Sequence, residues 1–178
     1  MTIYEHLFAL YAGNRHFQNG LAAANAKMGD MQAVAGDSTA ALESFRKALA
    51  MYEAMCRAEP NNAQFRGNLA AVIQRIAHAR ADAGNRPGAL ADFRRSLEVH
   101  QEVAAADPSN AKAQESLWLA YYDLGQELEG MHRREALTDY RSALGIIQAL
   151  ALAQPSNLQV RAKLAASVAA VKKSLHQP

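Results

Sequence analysis

The chain has 178 residues, half of them apolar, 20% charged and 7% aromatic, with a formal net charge of +2. There is enough apolar material for a core, and the shortage of aromatic and β-branched runs favours close-packed helices over sheets. So small a net charge gives no reason to expect a nucleic-acid partner, the lone Cys56 rules out an intrachain disulfide, and no apolar run reaches the ~18 residues of a membrane span.

In chain order, residues 1–12 read as a trailing half-helix, because Ile3-Tyr4-Glu5 stands 48 residues before Met51-Tyr52-Glu53. The opening residues lack the basic and apolar regions of a secretory signal, so a cytoplasmic setting is expected. Residues 13–60 follow as a helical hairpin. Phe17, Leu21 and Met28 recur at helical spacing, Gly36-Asp37-Ser38 breaks the helix, and Leu42, Phe45 and Leu49 mark a second one that ends at Pro60. Residues 61–108 repeat the scheme. Asn61 and Asn62 suit a helix N-cap, Phe65, Leu69, Val72, Ile73 and Ile76 make an apolar stripe, and Gly84 suits the left-handed residue after the helix. Pro87 suits the first turn of the next helix. Leu90, Phe93, Leu97 and Val103 then lead to Asp107-Pro108, where a helix rarely continues. Residues 109–155 form a third copy, with Leu117, Tyr121 and Leu124, a turn one residue shorter near Gly130 to His132, and Leu137, Tyr140 and Leu144. Residues 156–178 supply one more first helix (Leu158, Val160, Leu164, Val168, Val171), read as a terminal cap.

The copies keep a fixed spacing. Pro60, Pro108 and Pro155 lie 48 and 47 residues apart, as do Phe45, Phe93 and Tyr140. Self-similarity at such a period means stacked units sharing a continuous core. The expected fold is therefore all-α: an α-solenoid of antiparallel helix hairpins. Gly20 and Gly67 fall inside first helices, where each costs about 1 kcal/mol against Ala, and close backbone approach between hairpins is the expected reason.

Leu69-Ala70, Ile73, the Gly turn, Ala89, Phe93, Ser96 and Pro108 form a spaced set that resembles the tetratricopeptide repeat. That family's unit is about 34 residues. Here the extra length divides into seven residues between Ile73 and Ala89 and seven between Ser96 and Pro108, each roughly two helical turns, so both helices lengthen with their buried stripes kept in phase. Similar long-helix repeats occur in bacterial multidomain proteins. The resemblance implies a right-handed superhelix whose first helices line a concave groove for a peptide or partner protein. One departure stands out: the small residue after the leading leucine is Ala22, Ala70 and Ala165, but Trp118 in the third copy. An indole there is expected to push the helices apart, to swing outward as a partner anchor, or to fill the gap left by the shorter turn.

The groove is expected to carry Asn19, Lys27, Gln64, Gln74, Arg75, His78, Lys112, Glu115, Trp118, Tyr122 and Asp123, with Leu119, Gln159 and Lys173 beside them. Amide, aromatic and basic groups together suit peptide recognition. The family's carboxylate-clamping subtype is not matched, since its places hold Asn19 and Ala23, Gly67 and Ala71, Glu115 and Leu119. No phosphate loop, His-Glu-x-x-His, paired cysteines or Gly-x-Ser-x-Gly occurs. The chain is accordingly expected to be non-catalytic, without metal or cofactor, and to act as an interaction scaffold within a larger protein or complex. The alternatives are a self-assembly module docking through its open N-terminal end and a ligand or peptide sensor controlling an attached effector. Charge is uneven: residues 98–139 carry nine acids against Lys112, Arg133 and Arg134, whereas no acid follows residue 140.

Overall fold

The computed structural model describes residues 14–131 and 134–175, together with positions 6, 10 and 11. Among the described residues there are seven helices and no strand: α1 (Arg15–Val34), α2 (Ser38–Ala58), α3 (Ala63–Asp82), α4 (Arg86–Ala106), α5 (Ala111–Gly130), α6 (Ala136–Ala153) and α7 (Leu158–Leu175). The half-helix expected over residues 1–12 lies outside the described residues apart from positions 6, 10 and 11, and so does His132 of the third turn.

Each first helix begins at an asparagine that recurs at the repeat spacing. Asn14 accepts from the Phe17 amide, Asn62 from Gln64 and Phe65, Asn110 from Ala113, and Asn157 from Gln159 and Val160. An amide oxygen there satisfies N–H groups that the first helical turn leaves without a partner. The second helices start alike in the first two copies: Asp37 accepts from the Ala40 amide and Asn85 from the Gly88 amide. Before them stand Gly36 and Gly84, both at φ +82°, a left-handed conformation that side chains with a Cβ adopt only with strain.

The chain forms two compact units, Met1–Asp92 and Phe93–Pro178. In the first, α1 packs on α2 and α2 on α3. Ala22, Ala41, Phe45, Ala48, Met51, Met55, Phe65 and Val72 share its core. The antiparallel run of α1 and α2 shows in their contacts: Gly29, late in α1, meets Phe45, early in α2, while Asn25 meets Met51. In the second unit α5 packs on α6 and α6 on α7, around Trp118, Ala143, Ile147, Leu150 and Val160. There Gly125 meets Tyr140 as Gly29 meets Phe45.

Three sequence expectations are corrected. Among the described residues nothing lies within 4 Å of where a Cβ would stand on Gly20 or Gly67, so neither glycine serves close approach between them. The glycines that do are Gly29 and Gly125, where an added Cβ would come within 2.5 Å and 2.8 Å of an aromatic ring. Met28 and Leu158 were placed on buried stripes but are 50% and 75% exposed. Leu158 opens its helix, and Met28 lies off the stripe Gln18, Ala22, Asn25, Ala26 and Gly29 that α1 buries. Trp118 does not swing outward: it is only 7% exposed, because the partner position on α7 is the small Ser167.

Candidate functional site

The first helices of neighbouring hairpins touch through polar side chains. In the first unit the Asn68 side-chain amide of α3 donates to Asn19 Oδ1 of α1 at 3.1 Å. Further along, Arg75 Nε of α3 donates to Asp30 Oδ1 of α1 at 2.8 Å and its Nη1 to the Ala71 carbonyl. Both pairs advance in the same direction along the two helices, so α1 and α3 run parallel. Between the ties lies an open cleft of about 140 Å³, floored by Ala23, Ala26, Ala71 and the Tyr52 ring and edged by Lys27 and Arg75. Lys27 is exposed, whereas Arg75 is held by Asp30 and half-buried. Burial pushes the Tyr52 phenol up, and the neighbouring Arg75 charge opposes that shift in part, so Tyr52 stays neutral across ordinary pH.

The second unit repeats this arrangement with other chemistry. Lys163 Nζ of α7 donates to Glu115 Oε1 of α5 at 2.8 Å. Counted in repeat register, Glu115 is the counterpart of Asn19 and Lys163 of Asn68, so one position carries an amide pair in one unit and an ion pair in the other. The Trp118 indole N–H donates to Ser167 Oγ at 2.9 Å, and that hydroxyl donates to the Lys163 carbonyl. Tyr122 stacks on the indole with centroids 5.5 Å apart, and Lys163 Nζ lies 5.2 Å from the indole centroid, within cation–π range. Tyr140 packs against Tyr122 and donates to Glu129 Oε2 at 3.1 Å, while Lys173 pairs with Glu129 Oε1. Burial and the Glu129 charge push the Tyr140 phenol up.

The candidate residues fall into three groups. Lys27, Gln64, His78, Lys112, Leu119 and Gln159 are exposed. Asn19, Arg75, Glu115 and Tyr122 are half-buried, the first three in the ties just described, and Lys173 is exposed but paired. Gln74, Trp118 and Asp123 are 6%, 7% and 7% exposed, so a partner has no direct access to them. Asn68, Asp30, Lys163 and Ser167 were not singled out from sequence. The signal was present, since Asn19 with Asn68 and Glu115 with Lys163 occupy matched places one residue off the repeat spacing. The offset is decided by how neighbouring first helices slide against each other, which periodicity alone does not encode.

Among the described residues no group of three His, Cys, Asp or Glu side chains comes together to hold a metal, and no helix is long and apolar enough to cross a membrane. Cys56 is half-buried, and desolvation pushes its thiol up, away from the thiolate a nucleophile requires. His100 is 3% exposed, with no hydrogen-bond partner for its Nε2 among the described residues, and burial lowers its pKa to about 4.

No family model matches the chain, and no curated protein matches it. Among solved structures, a de novo designed helical repeat protein, DHR64, is 12% identical, with 97% of this chain and 89% of that one covered and a TM-score of 0.40. Two crystal structures of MamA are 17% and 18% identical, cover 88% and 84% of this chain and 91% and 94% of theirs, and give TM-scores of 0.29 and 0.21.

Proposed function

We propose that the chain is a non-catalytic protein-interaction scaffold of the tetratricopeptide kind, which holds an extended peptide along the parallel first helices α1 and α3. The observation that carries this reading is the cleft between α1 and α3. Its floor is small and apolar, the Asn19–Asn68 amides stand at one end, and Lys27 and Arg75 edge the other. Side-chain amides can hydrogen-bond a peptide backbone, small floor residues let it approach, and Lys27 makes no ion pair among the described residues, leaving it for an acidic side chain. Among its described lining residues the cleft supplies shape and hydrogen bonds without a metal ligand set, which supports recognition rather than turnover.

Selection of peptides from a random display library on the purified chain tests this. Enriched sequences should carry an acidic residue, bind with micromolar Kd and lose about tenfold in affinity with Lys27→Glu, the loss of one favourable charge contact and the gain of a repulsive one. Arg46→Glu, on the exposed side of α2, should leave the affinity unchanged. Peptides whose binding ignores Lys27→Glu but responds to Arg46→Glu would move the binding surface off the first helices.

A further inference from the structure

A second surface, separate from that cleft, lies on the outer face of α7. An open groove of about 460 Å³ runs along it, lined by Arg161, Leu164, Ala165, Val168, Ala169 and Lys172. Repeat register gives these positions a meaning. The counterparts of Arg161, Ala165, Val168, Ala169 and Lys172 in α1 are Gln18, Ala22, Asn25, Ala26 and Gly29, which are the residues α1 buries. In α1 that face is covered by an antiparallel helix, α2: Gly29 lies against Phe45 and Asn25 against Met51. The same face on α7 is therefore shaped to receive an antiparallel helix and is open among the described residues.

The face differs from its counterpart at both ends of the groove. Where α1 has Gln18, α7 has Arg161, and where α1 has Gly29, making room for an aromatic ring, α7 has Lys172. Both cations are exposed, α7 itself carries no acid, and the α5 acids that reach it, Glu115 and Glu129, pair with Lys163 and Lys173 instead. A helix bearing a bulky ring at the place of Phe45 would meet the Lys172 side chain, whereas one bearing a carboxylate there would meet its charge. Arg161 and Lys172 are eleven residues apart, roughly three turns or about 16 Å along the axis.

From this juxtaposition we infer that the outer face of α7 docks an amphipathic helix of a partner protein, antiparallel to α7, with an aliphatic centre and acidic residues about three turns apart facing Arg161 and Lys172. The small central residues permit close approach of the two helices, and the flanking charges set orientation and exclude a further standard second helix. This specificity is partly repulsive: Lys172 disfavours the aromatic that the internal hairpins use.

The test uses two fluorescent, helix-stapled peptides carrying residues 38–58 of this chain, one unaltered and one with Phe45→Glu and Met55→Glu, titrated against the full chain by anisotropy. The acidic peptide should bind in the micromolar range, at least about tenfold tighter than the unaltered one, and weaken several-fold between ~50 mM and ~500 mM salt. Arg161→Glu with Lys172→Glu should abolish that binding. Lys172→Gly should reverse the preference in favour of the unaltered peptide, a gain that a merely destabilised chain cannot show. Equal binding of both peptides, or acidic-peptide binding that survives the double charge reversal, overturns the proposal. So does sedimentation showing that the free chain already self-associates through this face, with Arg161→Glu restoring the monomer.

Discussion

Gly20 and Gly29 both sit inside α1, and the helix uses them in opposite ways. Gly29 leaves the space that the Phe45 ring fills; Gly20 faces nothing within 4 Å among the described residues. Gly29→Ala should therefore lower stability by about 1–3 kcal/mol, because a buried ring must shift, while Gly20→Ala should raise it by up to about 1 kcal/mol through helix propensity and lost freedom in the unfolded chain. Urea denaturation of the two variants checks the opposite signs, and the same pairing holds for Gly125 and Gly67. Ser167 gives a second prediction at this scale. Its hydroxyl is the partner of the buried Trp118 N–H, so Ser167→Ala strands that donor and should cost about 1–3 kcal/mol, with the indole emission altered in the folded protein.

At the scale of the element, each first helix begins on a signal carried within a few residues. Asn14, Asn62, Asn110 and Asn157 each cap a first helix, and Asn62→Ala or Asn110→Ala should each cost about 1 kcal/mol in chemical denaturation. Such signals are local and periodic, which is why hairpin succession, the Gly36 and Gly84 turns and most buried stripes could be read from sequence. What could not be read depends on the neighbouring element. Leu158 fits a helical stripe yet lies outside, because period says which face is apolar and not where along that face cover stops. Gln74 and Asp123 look like surface residues yet are buried. Trp118 looked like a misfit at a small-residue position until Ser167, 49 residues later in the chain, supplied a small partner with an acceptor oxygen. The candidate site was legible as a face, the first helices, and not as a set of contacts.

For the molecule as a whole, one buried and one half-buried titratable group pull stability in opposite directions with pH. His100 has its folded pKa lowered by burial to about 4 from 6.5. Below pH 6.5 the unfolded chain takes up a proton that the folded chain refuses until about pH 4, so this group removes about 3 kcal/mol as pH falls through that window. Asp139 is the reverse case. Burial raises its pKa to about 6 from 3.8, against the opposing charge of Arg94, so its contribution is fully present below pH 3.8 and is lost as pH rises through 6. Across pH 4 to 6 the two contributions offset each other. His100→Gln should remove only the first, so the stability of the variant relative to wild type should rise by about 3 kcal/mol between pH 7 and pH 4; denaturation curves taken at both values measure it, and a constant difference would show that His100 titrates normally. A last consequence concerns the paired first helices. Asn19 and Asn68 are held by neutral amides, whereas Glu115 and Lys163, in the matching place, are held by opposite charges with about a third of each side chain in water. Mobile counterions weaken only clasps made of charges, so brine should loosen Glu115 from Lys163 and Asp30 from Arg75 while Asn19 and Asn68 stay joined, and amide-exchange protection should fall more around the two ion pairs than around the amide pair as electrolyte is added.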